Sequence, residues 1–475
     1  MAAERILSIG VDIGTSTTQV IFSRLTMDNT AGYFTVPRIA IVGKDVVYKG
    51  TVHTTPLIDD RHIDGDAVRA IVEDEYRRAG FTTADISTGA VIITGEAARK
   101  DNAALVLTKL SDFAGEFVVS TAGPDLEAVV AGKGSGAWQY SVDSALPTVN
   151  LDIGGGTSNI VFFLDGETAA RGCVDIGGRQ IRLDENMTLT YISPSAAAIA
   201  ESCGVKLKVG ERTSEGELRT VCAGMARLLW DFIAGKDGET LKEVITAGSS
   251  AYSPPCAPRA VFFSGGVAHC MCSPPDSLFA YGDIGVMLAQ EIAACPEYSE
   301  YRVVPSGETI RATVVGAGSY TTTVSGSTIF YSAPLFPQKN LPVLKLSAEE
   351  QAPCFRGDFA GLADKLRWFF SQTDSDNILL ALPGMRDPQY GQLKLLAAAL
   401  AGAAGEVYKD GAPMFISVET DMAKALGLTV KALMPSRDVI CFDSVKVEQN
   451  DYVDLGKPLM DGIVIPVVVK TLIFG

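Results

Sequence analysis

The chain has 475 residues, 47% of them hydrophobic and 20% charged, with a formal net charge of −16. That length predicts more than one domain, and that composition predicts packed cores. The acidic field disfavours nucleic acid as the main partner, because phosphate backbones are repelled. Nine cysteines, none before Cys173, read as reduced thiols and not as a disulfide framework. The opening residues reach Asp12 without a signal-type apolar run, and no stretch of about 18 apolar residues occurs. A cytoplasmic protein without a membrane partner is therefore expected.

Residues 6–11, 18–23 and 38–48 read as three strands, with a tight turn at Gly14 between the first two. A helix follows, with Val68, Ile71, Val72, Tyr76 and Ala79 on one face. Asp64 or Asp66 can cap it and Gly80 can end it. Residues 90–95 read as a buried strand, 101–115 as a helix, 116–123 as a strand, and a further helix starts near Pro124. The pattern then restarts. Residues 148–164 give strand, glycine turn and strand, with a hairpin turn at Asp165-Gly166. A strand over 168–176 ends at Gly177-Gly178, and residues 190–245 are mainly helical. AVFFSGGVAH is a strand entering a Gly-Gly turn, and ETIRATVVGAGSYT is a strand followed by a helix start of small residues. Pro334, Pro337 and Pro342 mark a connection to a different region. There NILLALPG and PMFISVET are buried strands with helices between them, and the tail is rich in strands. The expected fold is α/β. Duplicated modules occupy residues 1–140 and 141–324, the last helix of the second returning toward the first, and an α/β domain spans 325–475.

The duplication is sharpest in two stretches, VDIGTSTTQV (11–20) and LDIGGGTSNI (151–160). Gly14 in one and Gly154, Gly155 and Gly156 in the other allow a tight turn whose backbone N–H groups form an anion cradle. Thr15, Ser16, Thr17, Thr157 and Ser158 add neutral donors. Asp12 and Asp152 would repel a phosphate at that position unless a cation stands between. Mg²⁺ suits it, since it keeps its waters and takes few carboxylates plus phosphate oxygens. Two facing turns would clamp a polyphosphate, with Gly265 and Gly266 admitting a nucleoside. Neither a P-loop nor a dinucleotide fingerprint is present. Cys256, His269, Cys270 and Cys272 lack zinc-site spacing and read as a thiol-bearing loop.

IGVDIGTSTTQ and NLDIGGGTSN resemble the two phosphate motifs of the actin-like ATPase superfamily. VFFSGGVA resembles its adenosine motif, and IGGRQIR the Gly177-Gly178 turn that follows the second phosphate hairpin. PDLEAVVAGKG and TVVGAGSY resemble its connecting helices. That resemblance implies duplicated ribonuclease-H-like domains with a nucleotide cleft between them. GPDLEAVVAGKGSGA and the tail DYVDLGKPLMDGIVIPVVVKTLIFG resemble, more closely, the ethanolamine ammonia-lyase reactivating factors. This implies an ATPase using ATP and Mg²⁺ to release damaged cobalamin from ethanolamine ammonia-lyase, with Asp12 and Asp152 as catalytic and metal-holding residues. The family context adds association with a bacterial microcompartment and leaves a homo-oligomer open. Where many relatives carry Glu before the proline of the first connecting helix, this chain has Gly123. Glu127, one turn further on, is the candidate for positioning the attacking water. A small-molecule kinase and an actin-like scaffold are the competing functions.

Overall fold

The fold is that of a computed structural model, which describes residues 4–30, 39–59, 62–95, 97, 100–110, 119–121, 123–320, 322–325, 328–373, 375–449, 451–459 and 462–471. Parts of the expected 101–115 helix and 116–123 strand lie outside these residues.

Strands β1 (Glu4–Ile13), β2 (Thr17–Asn29) and β3 (Ile39–Lys49) form an antiparallel meander. Helix α1 (Gly65–Ala79) starts where Asp64 accepts from the Asp66 and Ala67 amides at 3.2 and 3.0 Å, and stops at left-handed Gly80. Its Val68, Val72 and Tyr76 pack on Val20 and Phe22 of β2. β4 (Ile86–Ile93) and β5 (Val119–Thr121) then extend the sheet in parallel on the far side of β1, giving the order β3-β2-β1-β4-β5. Helix α2 (Pro124–Gly134) follows, with Gly123 as its cap and Pro124 in its first turn.

The second sheet repeats the first. β6 (Thr148–Ile153), β7 (Ser158–Leu164) and β8 (Glu167–Val174) form the meander, turning at Asp165 and Gly166 with φ of 52° and 79°, the double left-handed turn that matches strand twist. Helix α3 (Glu215–Ile233) opens on a Ser214/Glu217 capping box and buries Leu218, Val221, Cys222, Met225, Leu229 and Trp230 at helical spacing. β9 (Ala260–Ser264) runs parallel to β6 and leads directly into helix α4 (Gly265–Cys272). Helix α5 (Gly285–Ala294) and strand β10 (Arg302–Val303) complete the order β8-β7-β6-β9-β10. The expected Gly-Gly turn is thus the first turn of a helix.

Helix α6 (Ala312–Tyr320) covers the expected connecting helix TVVGAGSY and starts earlier, and the strand expected before it, at the start of ETIRATVVGAGSYT, is not formed. Short runs of Val and Ala do not separate strand from helix by period, and this one is buried from Ala312 to Ser319 between neighbours on several sides. The connecting helices cross over glycine. A Cβ on Gly134 would lie 1.8 Å from the Ala312 carbonyl, and one on Gly316 would lie 2.0 Å from that of Val130. α2 packs on the second sheet, with Gly132 against Val161 and Phe163, while α6 packs on the first, with Gly318 against Gly10. Each connecting helix therefore lies on the sheet of the other half.

β11 (Thr322–Val324) follows almost at once and joins a third, eight-stranded sheet through β18 (Pro466–Thr471). Between them come β12 (Phe330–Tyr331), β13 (Gln338–Lys345), α7 (Ala360–Gln372), β14 (Leu379–Leu382), α8 (Tyr390–Val407), β15 (Met414–Val418), α9 (Ala423–Leu433), β16 (Val439–Asp443) and β17 (Asp451–Leu455). β13 to β16 run parallel in sequence order, with α7, α8 and α9 packed into one core. Pro342 is not in the connection but inside β13. There the strand changes partner from β17 to β14. Val468 of β18 packs among Ala90 and Ile92 of β4, Val130 of α2 and Ala317 of α6.

Candidate functional site

The repeated turn is built the same way twice. Gly14 N donates to Thr17 O and Gly154 N to Thr157 O, both at 2.9 Å. Asp12 stands one residue before the end of β1 opposite Gln19, and Asp152 holds the same place in β6 opposite Asn159. Both are buried, with 7% and 5% of their surface exposed. Each carboxylate accepts from a hydroxyl beside the end of the neighbouring parallel strand. Thr94 Oγ1 donates to Asp12 Oδ1 at 2.9 Å, and Ser264 Oγ donates to Asp152 Oδ1 at 2.5 Å. A left-handed glycine follows each hydroxyl residue, Gly95 at φ 58° and Gly265 at φ 90°.

The two turns face each other. A Cβ on Gly155 would lie 2.7 Å from Ser16 Oγ, so no side chain fits between them at that point. On the first side, Thr55 props the turn through its amide to Ser16 O (3.1 Å) and its hydroxyl to Gly14 O (2.7 Å). Thr15 Oγ1 lies 2.8 Å from where a Gly95 Cβ would stand. On the second side, Gly178 N donates to Gly154 O at 3.0 Å and Arg179 N to Gly155 O at 2.7 Å. Gly177 and Gly265 are needed for packing behind this turn. A Cβ would come within 2.5 Å of Gly155 O in the first case and 2.3 Å of Ile153 O in the second. Gly266 meets nothing within 4 Å. Thr157 is buried, and the Ser158 hydroxyl is committed to Ile176 O at 2.7 Å, so it points into the fold and not toward a ligand.

Glu127 joins the aspartates from α2. It is buried, and its Oε2 accepts from Gly95 N at 3.1 Å. Burial pushes its carboxyl well above the usual range, helped by the charges of Asp152 and Asp12 and opposed by Gly95 N–H and the Asn159 side chain. Burial likewise raises Asp12 to about 7, against the Thr94 hydrogen bond and with the Asp152 charge, and raises Asp152 to about 6, against Ser264 and Thr313. Three carboxyl groups from three elements share one negative pocket.

Several buried acceptors around them have no partner: Gln19 Oε1, Asn150 Oδ1, Asn159 Oδ1 and Gln180 Oε1, together with Ser16 Oγ. The Gln19, Asn150 and Gln180 amide nitrogens are already committed, to Ile310 O (3.0 Å), Ser264 Oγ (3.0 Å) and Gly156 O. Buried acceptors left over call for donors, which a hydrated cation supplies, while the turn amides and Ser16 suit an anion. Among the described residues no three His, Cys, Asp or Glu side chains form a metal cage. Asp12 and Asp152 thus fit a cation that keeps its own waters. Cys256 and Cys272 are exposed and Cys270 buried, outside any such group.

Thr94 and Gly95, which contact Asp12 and Glu127, are positions that motif reading passed over. Their signal was present: AVIITGEAA (90–98) and AVFFSGGVA (260–268) share alanine, valine, a hydroxyl residue, glycine and alanine at matching places.

Two sheets of one strand order, crossed connecting helices and paired Asp-Gly-hydroxyl turns across a cleft define a protein of the duplicated, actin-like α/β fold. The chain belongs to the ethanolamine utilisation protein EutA family, whose model matches residues 4–475. It is 34% identical over 478 residues to the ethanolamine ammonia-lyase reactivase EutA of Salmonella typhimurium strain LT2, and 32% identical over 475 residues to that of Escherichia coli strain K12, with 100% of each chain covered in both cases. Among solved structures, the activator of the 2-hydroxyisocaproyl-CoA dehydratase from Clostridium difficile, with bound ADPNP, matches at 12% identity and a TM-score of 0.31 over 66% of this chain and 93% of that one.

Proposed function

We propose that this protein is an ATP-driven reactivase of ethanolamine ammonia-lyase, binding Mg²⁺·ATP between the two turns and passing cleft closure to the partner enzyme. The observation that carries the nucleotide reading is the pair of facing turns, each backed by a buried aspartate. The partner reading rests on the two full-length relatives, both reactivases by name. The turn amides, Thr15 and Ser16 bind the phosphates, while Asp12 and Asp152 hold the hydrated cation, which lowers the charge repulsion across the cleft. Glu127 orients the attacking water and takes its proton, a role suited to a carboxyl that burial holds well above the usual carboxylate range. Gly266 leaves backbone open toward the nucleoside. α2 and α6 cross between the halves, so hinge motion shifts them. Val468 touches both, and β11 continues α6 after a single residue. The third domain is therefore the output arm, and the cobalamin enzyme is the load. Among the described residues no helix is long and apolar enough to cross a membrane. Work in the cytoplasm or at a microcompartment fits this reading.

The test is recovery of ethanolamine ammonia-lyase inactivated by cyanocobalamin, with adenosylcobalamin and this protein added. Recovery is expected with Mg²⁺·ATP, but not with Mg²⁺·ADP or with an Asp12→Ala/Asp152→Ala variant. ATP turnover without recovery would leave the nucleotide site and remove the partner. Phosphate transfer to a hydroxyl acceptor would point to a kinase, and pelleting on ATP addition to a scaffold.

A further inference from the structure

The first turn of α2 is gripped from both halves of the molecule. Two residues before Glu127, Asp125 is buried, and among the described residues the hydrogen bonds to its carboxylate come from the second half. Arg171 Nε on β8 donates to Oδ2 at 3.1 Å, Ser250 N donates to Oδ1 at 3.1 Å, and the Ser250 hydroxyl also donates to Oδ2. Nearer its C-terminal end α2 is seated on the same sheet, where Gly132 meets Val161 and Phe163 and where Ala128 packs with Phe262. Glu127 leaves the same turn in another direction, and Gly95, after β4 of the first half, donates to it. The helix is thus seated mainly on the second half, with Val130 packing beside Ala90 and Ile92 of the first, and among the described residues Glu127 is the carboxylate through which it meets the first half.

We propose that Asp125 is a positioning residue: it ties the first turn of α2 to β8 and the 250 loop, so that Glu127 arrives at and leaves the first jaw as the second jaw moves. This rests on the reading of Glu127 as the group that orients water. Without the tether, the N-terminal turn loses its side-chain anchor to the second half and keeps its Gly123 cap, which carries no side chain, Pro124, the packing of Leu126 and the Gly95–Glu127 contact. Glu127 would then sample positions from which water is not aligned. A loosely held catalytic group lowers kcat without weakening substrate binding, since the turn amides and Asp12 and Asp152 are untouched.

The test is a double-mutant cycle on the full chain, reading ATP turnover and Mg²⁺·ATP binding. Glu127→Gln should lower kcat by about 10²–10⁴-fold. Asp125→Ala should lower kcat by about 10–100-fold with KM for Mg²⁺·ATP within about twofold of the parent. The Asp125→Ala/Glu127→Gln double variant should turn over no more slowly than Glu127→Gln alone, because a residue that acts through Glu127 has nothing left to position. A general loss of structure would instead add to the Glu127 defect and raise KM. Because Asp125→Ala can fail to fold, Arg171→Met is made beside it. This half-exposed donor should give a smaller fall in kcat, of about severalfold, that is also absent in the Glu127→Gln background. Additive effects, or an unchanged kcat in both tether variants while Glu127→Gln is slow, overturn the proposal and leave the Glu127 reading standing. A Glu127→Gln protein as fast as the parent overturns both.

Discussion

The two jaws share a skeleton and differ in how they are made firm. In the first, one glycine and three hydroxyl residues form the turn, and Thr55 supports it from behind beside the short pairing of His53 and Thr54 with Thr18 and Thr17. In the second, three glycines form the turn, and backbone is stacked behind it twice, once by Gly177-Gly178 and once by Gly265. The second also carries α2. The first jaw therefore presents side-chain donors on a turn with room to adjust, whereas the second presents backbone on a turn that cannot move without its neighbours. A duplicated module has been divided into a grasping half and an anvil.

Glycine replacement should separate them most. Gly265→Ala places a methyl 2.3 Å from a carbonyl oxygen at φ 90°, and Gly177→Ala places one 2.5 Å from another. Each should cost about 3 kcal/mol or more of local stability and abolish Mg²⁺·ATP binding. Gly14→Ala, with its nearest contacts at 3.2 and 3.5 Å, should cost about 1 kcal/mol and leave binding measurable. Thermal shift with and without Mg²⁺·ATP checks this, and equal damage in both jaws would erase the distinction.

Neutralising the aspartates should come next. Asp12→Asn and Asp152→Asn should each weaken Mg²⁺·ATP binding by about tenfold or more, through loss of the cation's partner. In EDTA at pH 8 each should raise the melting temperature, since a neutral amide escapes the burial penalty of a carboxylate. The rise should be larger for Asp12, whose carboxyl is raised to about 7, than for Asp152, raised to about 6.

The same shifts contribute to the pH dependence without metal or nucleotide, beside Glu127, Asp283 and Asp443, which burial raises in the same direction. Both aspartates ionise near 3.8 when unfolded and near 6 to 7 when folded. The folded chain binds more protons in between, so their contribution is present at pH 4 and is lost as pH rises to 7. Glu75 is buried, but hydrogen bonds from His53, Tyr48 and Thr51 N–H hold it below its usual value, so it stays ionised above pH 5 and adds no slope there. Lys44, lowered to about 7 by burial and by the Lys133 charge, acts in the opposite sense only above that pH. The melting temperature in EDTA should fall from pH 5 to pH 7 and should fall less in Asp12→Asn. A flat profile would show that the pocket does not bury these charges.

Much of this was legible in the chain. The strand-turn-strand repeats, the Asp64 cap, the Gly80 stop and the Asp165-Gly166 turn are local chemistry, and local chemistry is written in sequence. The misread strand before α6 and the strand proline Pro342 depend on what packs alongside, which no window of residues contains. The same limit hid the inward-turned Ser158 and the packing role of Gly177. Thr94 was missed for another reason. It lies 82 positions after Asp12, whereas Ser264 lies 112 after Asp152, so the repeat drifts out of register with the turns it serves.

The hydroxyl pair should give the smallest effects and the finest comparison. Thr94→Val keeps shape and removes one donor from Asp12, at about 1 kcal/mol. Ser264→Ala removes the donor to Asp152 and also strands the Asn150 amide, which donates to the Ser264 hydroxyl, so about 2 kcal/mol is expected. Both hydroxyls lower the pKa of the carboxyl they bind. Losing either should therefore move the pH at which Mg²⁺·ATP binding is half lost upward, because the cation must then displace a more tightly held proton. Titrating binding from pH 5.5 to 8 reads that midpoint separately from stability. An upward move in both variants, with the greater stability loss at Ser264, is what a rigid second jaw and an adjustable first one require. No movement in either would mean that these hydroxyls only fill space between the strands.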